Sequence, residues 1–283
     1  MNNLRIGIPS KGRLAEIAGE LLKEAGLSFR RQERSLFARC REVPVDITFL
    51  RTEDIPVLCA EGAIDMGVTG GDLLAESGVE LANRLDLGVG ECRLAVCVPE
   101  DSRISSAAEL EGCRVATSFP HVTEVFLRSQ GAKAHLVNLS GSVEIMIALG
   151  VADAIVDLVE TGSTLAANRL RVLAEIDRYQ TVLVQNPACR HAELADRVVR
   201  RLEGVVIARS YSLLEYNVPR SKLPAAEKIT PGFNSPTISA LEDADWCAVR
   251  VMVRRTEVIS IMEQLEALGA SAILETAITN CRL

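Results

Sequence analysis

No uninterrupted apolar run in the chain approaches the ~20 residues that a membrane-spanning helix needs. The opening "MNNLRIGIPSKGR" also lacks the apolar segment of a secretory signal. Of the eight cysteines, no two stand as CxxC, and most lie in apolar surroundings such as "RLAVCVP". Zinc sites and disulfide scaffolds are spaced more tightly, so reduced core thiols are expected. Lysine and arginine number 31 against 38 aspartates and glutamates, a net charge of -7 with the signs interspersed. No basic stripe dominates, which argues against a general nucleic-acid binder yet leaves room for a local anion site. Neither a Walker A sequence nor GxGxxG occurs. His121, His135 and His191 have no Asp or Ser partner in a recognisable motif, and no catalytic nucleophile stands out. These absences predict a cytoplasmic protein with no membrane or nucleic-acid partner.

What is present is apolar material, 48% of 283 residues, enough for two or three domains. "LRIGIPS" reads as a buried strand and "GRLAEIAGELLKEAGL" as a helix stopped by Gly26. "VDITFLR", "EDIPVLCAEGA", "IDMGVTG" and "GDLLAESG" continue as strand, helix, strand, helix. That alternation predicts an α/β lobe with a largely parallel sheet. The long strand-like "LGVGECRLAVCVPE" carries the chain into a second lobe of the same kind. "TVLVQNP" and the helix "HAELADRVVRRLEGVVIARS" bring it back. The expected boundaries are 1–90 with 181–210 for the first lobe and 91–180 for the second. Ligands in such folds sit in the cleft, at the carboxyl ends of strands. Residues 211–283 read β-α-β-β-α-β, the ferredoxin-like order, with Thr256 as N-cap of the helix "TEVISIMEQLEALG". A module of this size suits regulation or oligomerisation.

The stretch "DLVETGSTL" ends an apolar strand in two acids and a glycine-centred, hydroxyl-rich turn. Thr161, Gly162, Ser163 and Thr164 offer hydroxyls and amides, and "AANRLRVLAEI" is expected to follow as a helix whose amino end adds positive potential. Asp157 and Glu160 would repel a bare phosphate; they suit a ligand that also carries hydroxyls, such as a ribose 5-phosphate. An ordinary helix cap with acidic neighbours is the other reading of a lone TGxT. Lys11, Gly12 and Arg13 form a second strand-to-helix anion site, and "VTGGDLL", with Gly70, Gly71 and Asp72, a third. Arg34 and Arg51 supply further guanidinium groups, whereas Arg30, Arg31 and Arg41 read as solvated side chains.

"EIMIALGVADAIVDLVETGSTLAANRL" closely resembles the signature of the ATP phosphoribosyltransferase family, which opens histidine biosynthesis. "IPSKGRL", "LRTEDIP", "GAIDMGVTGGDLLAESG", "LGVGECRLAVCVP" and "RVATSFP" resemble its other landmarks in the same order. "PGFNSPTI" and "LEALGASAIL" resemble the regulatory domain of the long form. The resemblance implies two periplasmic-binding-protein-like lobes, an ACT-like third domain, and a reaction joining ATP and phosphoribosyl pyrophosphate with Mg²⁺. A ring nitrogen of adenine attacks the ribose and pyrophosphate leaves. Residue by residue, it implies that Thr161, Gly162, Ser163, Thr164 and Leu165 hold the 5′-phosphate of the donor. Asp157, Glu160 and Glu144 would lie near the ribose hydroxyls. Lys11, Arg13 and Arg34 would support the pyrophosphate, and Gly12, Gly70, Gly71 and Asp72, with Lys11 and Arg13, the ATP. Thr237, Ala270 and Ser271 fall in the motifs for inhibitory histidine, with no protein ligand for the metal assigned. A homo-oligomer, dimer to hexamer, is expected. Two other functions compete: a two-lobed binding protein without catalysis, and a porphobilinogen-deaminase-like enzyme, which needs a cofactor-carrying cysteine motif not apparent here.

Overall fold

Continuous apolar runs explain the centre of the first sheet. The computed structural model describes residues 3–32, 35–160 and 162–282. β1 (Leu4–Pro9) lies between two parallel neighbours, and Leu4, Ile6 and Ile8 are buried, as expected of a strand covered on both faces. The chain continues through α1 (Arg13–Glu24), β2 (Phe37–Arg39), β3 (Val45–Leu50), α2 (Ile55–Ala60), β4 (Met66–Gly70), α3 (Gly71–Ser77) and β5 (Ala82–Asp86). It then crosses to a second sheet as β6 (Cys92–Pro99), followed by β7 (Arg114–Thr117), α4 (Pro120–Ser129), β8 (His135–Asn138), α5 (Ile145–Ala148), β9 (Ala154–Val159), α6 (Ser163–Ala167) and β10 (Leu170–Tyr179). β11 (Thr181–Gln185) returns to the first sheet, and α7 (Ala192–Ser210) follows.

The two sheets share one plan. Their orders are β2-β3-β1-β4-β11-β5 and β10-β6-β9-β7-β8. In each, the strand arriving from the other lobe, β11 or β6, sits one place in from an edge and runs antiparallel to both neighbours. Two α/β lobes that exchange strands in this way have the periplasmic-binding-protein-like arrangement. The crossings are bonded to each other: Leu87 N–H donates to the Thr181 carbonyl at 2.9 Å, and Thr181 N–H to that of Val89 at 2.9 Å. Gly90 lies here at φ 67°, where an added Cβ would come within 2.9 Å of the Thr181 hydroxyl, so both conformation and space demand glycine.

Several elements depart from expectation. Residues 170–179 form β10 rather than a helix. Arg169 takes φ 52°, which ends α6 after five residues, and the following segment finds hydrogen-bond partners along β6. α5 is likewise only four residues long. β2 and β5 were not expected; both are short or polar and have no apolar alternation to reveal them.

The last segment is built from β12 (Tyr211–Pro219), α8 (Leu223–Ile229), β13 (Thr237–Ala240), β14 (Trp246–Arg254), α9 (Val258–Leu268) and β15 (Ser271–Ala277). Its antiparallel sheet has the order β13-β14-β12-β15, the ferredoxin-like arrangement. Alternate residues of β12 and β14 (Leu214, Tyr216, Val218; Val249, Val251, Val253) meet Val258, Ile261 and Leu265 of α9 in one core. The buried Tyr216 hydroxyl lies 2.7 Å from that of Thr230, which donates to the Ala226 carbonyl at 3.1 Å. A short turn over Arg255–Glu257 precedes α9 and makes Glu257 its N-cap in place of Thr256. The chain gathers into two compact units: one runs to Gly19 and takes up Ser28–Ala195; the other takes Glu20–Leu27 and the residues from Asp196 onward. Among the described residues no helix is long and apolar enough to cross a membrane.

Candidate active site

At the end of β9, Ile155, Val156 and Val159 are buried, and the chain must turn where the apolar run stops. Gly162 makes the turn at φ 80°, with open space where a Cβ would project. It caps α6, and its carbonyl accepts from Ala166 N–H at 3.1 Å. Leu165 is buried among Ala95, Cys97 and Ile155, so its side chain anchors the turn and only its backbone can face a ligand. Ser163 and Thr164 are exposed on the turn, and Glu160 stands just ahead of it, also exposed. α6 is too short to carry much of a helix dipole, so the turn's own amides and hydroxyls are its main anion-binding resource. Thr161 and Arg34 lie outside the described residues.

Asp157 is half-buried beside the turn. Burial holds its carboxyl group above the usual carboxylate range, and the nearby Glu144 charge pushes it the same way, against a lowering bond from Leu158 N–H. Glu144 is the residue before α5, near enough for its charge to act on Asp157. Directly opposite Val159 on β6 is Arg93, on the same face of the sheet as Asp157, which pairs with Ala95. Arg93 was not singled out from the sequence, although an arginine interrupting "GECRLAVCVP" was the available signal. Its guanidinium is 3.5 Å from Glu175, which also holds Arg178 at 2.7 Å.

The β4–α3 turn of the first lobe approaches the same region. Asp72 is half-buried and its carboxyl group is raised, chiefly by burial. Burial lifts the Cys92 thiol to about 11, helped by the charges of Asp72 from one lobe and Glu160 from the other. Tyr179 is raised to about 12 by burial and by acids that include Asp177 and Asp72. Gly71 N–H reaches the Gln180 carbonyl, so the Asp72 turn borders the place that Glu160 lines. There a cavity of about 560 Å³ is lined by Cys92, Arg93, Glu160, Arg178, Tyr179 and Gln180. Gly71 N–H is spoken for, donating to the Gln180 carbonyl at 2.8 Å, and Gly70 is the N-cap of α3.

Lys11, Gly12 and Arg13 are exposed at the carboxyl end of β1, and the Gly12 carbonyl receives Ala15 N–H at 3.0 Å to start α1. Arg31 is exposed, as expected, but it is not unattached. It donates to the Ser10 carbonyl at 2.7 Å and lies 4.1 Å over the Phe49 ring, supporting the turn from behind. In the last domain Thr237 is on β13, while Ala270 and Ser271 lie at the start of β15. The sheet order puts two strands between them, about 14 Å at the usual strand spacing, so one chain does not bring the three together.

Two lobes joined by paired crossings, with acids and strand-to-helix turns at one cleft, define the class of two-lobed α/β ligand-binding folds. Residues 51–204 match the family described as HisG: ATP phosphoribosyltransferase, and residues 208–280 match the HisG C-terminal domain. An ATP phosphoribosyltransferase of Rhodopirellula baltica is 68% identical over 280 residues, covering 99% of this chain and 94% of that protein. One of Saccharopolyspora erythraea is 42% identical over 281 residues, covering 99% and 100%. Among solved structures, the ATP phosphoribosyl transferase (HisG:HisZ) complex from Thermotoga maritima aligns with TM-score 0.65 and 31% identity, covering 72% of this chain and 98% of that one. The chain belongs to the ATP phosphoribosyltransferase family, in its long form with a C-terminal domain. It is a pentosyltransferase that joins ATP and phosphoribosyl pyrophosphate, the first step of histidine biosynthesis.

Proposed function

We propose that the transfer takes place between the Gly162 turn and the Asp72 turn, with residues 91–180 serving as the phosphoribosyl lobe and 1–90 with 181–210 as the nucleotide lobe. The observation that carries this reading is that the Gly70–Asp72 turn of one lobe, through Gly71 N–H on the Gln180 carbonyl, adjoins the cavity that Glu160 of the other lobe lines with Cys92, Tyr179 and Gln180. Amides and hydroxyls of residues 161–165 receive the 5′-phosphate. Asp157 and Glu144 accept hydrogen bonds from the ribose hydroxyls, and the negative charge they keep there favours the positive ribose of the transition state. Lys11, Arg13 and Arg34 draw the departing pyrophosphate, while Gly12, Gly70, Gly71 and Asp72 border the ATP.

No nucleophilic side chain is needed, because the attacking nitrogen belongs to ATP; alignment and charge stabilisation do the catalysis. Among the described residues no group of three or more acids, histidines or cysteines could hold a metal ion, so Mg²⁺ would be held mainly by substrate oxygens and water, with Glu160 or Asp72 as a single hard oxygen ligand. When bound it neutralises charge on the leaving group. We assign residues 211–283 to feedback inhibition by histidine. Thr237 and Ser271 sit on opposite edges of one sheet, so an effector touching both must lie between two copies, in keeping with a homo-oligomer. A crystal soaked with phosphoribosyl pyrophosphate and Mg²⁺ tests the placement. Density for the 5′-phosphate at the amides of residues 162–164 is expected; an empty turn with the donor bound elsewhere overturns it.

A further inference from the structure

Helix α3 is wedged between the lobes. Leu74 packs into the first-lobe cluster of Ile55, Cys59 and Val184, whereas Leu73 packs into the second-lobe cluster of Leu94, Val96 and Phe119. Three residues on from Leu73, Glu76 reaches across to α4. Its Oε1 accepts from His121 N–H at 2.9 Å and its Oε2 from Val122 N–H at 3.0 Å. The first turn of α4 offers few other ways to satisfy these donors. Pro120 has no N–H, Thr123 N–H is already bonded to the Phe119 carbonyl at 3.0 Å, and Phe119 provides no side-chain cap. The two amides left over are the two that Glu76 takes. A carboxylate bonded to two amides at a helix amino end is a charge-assisted cap. Here the cap comes from the opposite lobe, 45 and 46 residues away in sequence.

We infer that Glu76 is a positioning residue for the transfer: by capping α4 from α3 it sets the separation of the two substrate-bearing lobes. α3 begins at the Gly70–Asp72 turn, and Asp72 and Glu76 are one helical turn apart. α4 follows the carboxyl end of β7, which adjoins β9 and so the strand that leads to the Gly162 turn. Glu76 thus ties the turn assigned to ATP to the lobe assigned to the ribosyl donor without touching either substrate. Its loss would leave each half-site intact and misplace one against the other. Attack of a ring nitrogen on a ribose carbon is sensitive to such an error, since a misplacement of ~1 Å can cost on the order of a hundredfold in rate.

The inference rests on the placement of the two substrates proposed above, and the test keeps the two apart. Glu76→Ala and the isosteric Glu76→Gln, which retains one acceptor, are compared with the parent in the full-length enzyme. The measurements are steady-state kinetics, donor binding by titration, and amide hydrogen exchange. Glu76→Ala is expected to lose exchange protection at His121 and Val122 and to lower kcat by roughly 10- to 100-fold. KM for either substrate is expected to move by less than about threefold, the mark of an interaction that matters in the transition state. Glu76→Gln should recover part of both kcat and protection. An unchanged kcat overturns the inference whatever the amides do. So does a fall in kcat with protection lost throughout residues 92–179 in both variants, because that reports a lobe that no longer holds together. A donor affinity that collapses in Glu76→Ala would instead place Glu76 in the donor site and overturn both assignments.

Discussion

Asp157 on β9 is close enough to Glu144, the residue before α5, that the charge on Glu144 adds to burial in holding the Asp157 carboxyl group above the usual carboxylate range. Two acids this close are costly in the free protein. They become useful once a ligand brings hydroxyl donors between them.

Asp157→Asn should therefore separate stability from activity. A carboxyl group whose pKa is raised on folding binds more protons in the folded than in the unfolded chain over that window, so stability falls as pH rises through it. Removing the charge without changing the shape should raise the melting temperature at neutral pH. The gain should vanish once the pH lies below the carboxylate's unfolded value, where both states are protonated. The same variant should bind phosphoribosyl pyrophosphate more weakly. Melting curves from acid to neutral pH check the sign; a neutral-pH melting temperature below the parent's would contradict it.

Thr164→Ala should raise KM for the ribosyl donor and leave that for ATP nearly unchanged. Losing a hydrogen bond to a charged group costs about 1.5–3 kcal/mol, or on the order of 10- to 100-fold. Replacing Gly162 with valine should do more, because φ 80° is strained for any β-branched side chain. An unaltered donor KM in Thr164→Ala would remove the phosphate assignment.

Arg31→Ala should lower kcat/KM although Arg31 is not placed against a substrate, by ~1–2 kcal/mol through the loosened Ser10–Arg13 turn. Arg31→Lys should not restore it, since an ammonium cannot reproduce both the planar contact with Phe49 and the bond to Ser10. Full activity in Arg31→Lys would show that only the charge counts. Arg13→Ala should be more severe, ~3 kcal/mol in transition-state stabilisation.

If inhibitory histidine bridges two copies, Thr237→Arg and Ser271→Arg should each abolish inhibition alone. Co-assembled oligomers of the two variants should regain part of it, because some interfaces then pair an intact Thr237 with an intact Ser271. Inhibition that survives in either single variant would put the effector elsewhere.

Tyr216→Phe should destabilise the C-terminal domain by only about 1 kcal/mol. The Thr230 hydroxyl keeps its own bond to the Ala226 carbonyl, so no buried donor is orphaned. Urea unfolding followed at Trp246 measures this directly.

Residues with one dominant physical role were legible in advance. β1, α1, β12 and α9 are set by apolar periodicity, and the lobe exchange followed from the order of strands and helices. The region around "RLRVLAEI" was misread because its apolar spacing serves helix and strand alike; the left-handed Arg169 and the long partner β6 decide for strand. Asp72 and Asp157 could be proposed from the motifs around them, and Glu144 from the family resemblance. Arg31, Arg93 and Glu76 could not, because what singles them out is a partner distant in sequence: a carbonyl, a strand end, or two amides of another helix.

The exchanged strands also bear on how the chain is made. β6 to β10 are one uninterrupted stretch, so that sheet can close as soon as Tyr179 has left the ribosome. The other sheet, though begun first, must wait for β11 to slide between β4 and β5. The second sheet can therefore be complete before the first, whose earliest strands have an unfilled gap until Gln185 has emerged, the stage at which a chaperone would be of most use.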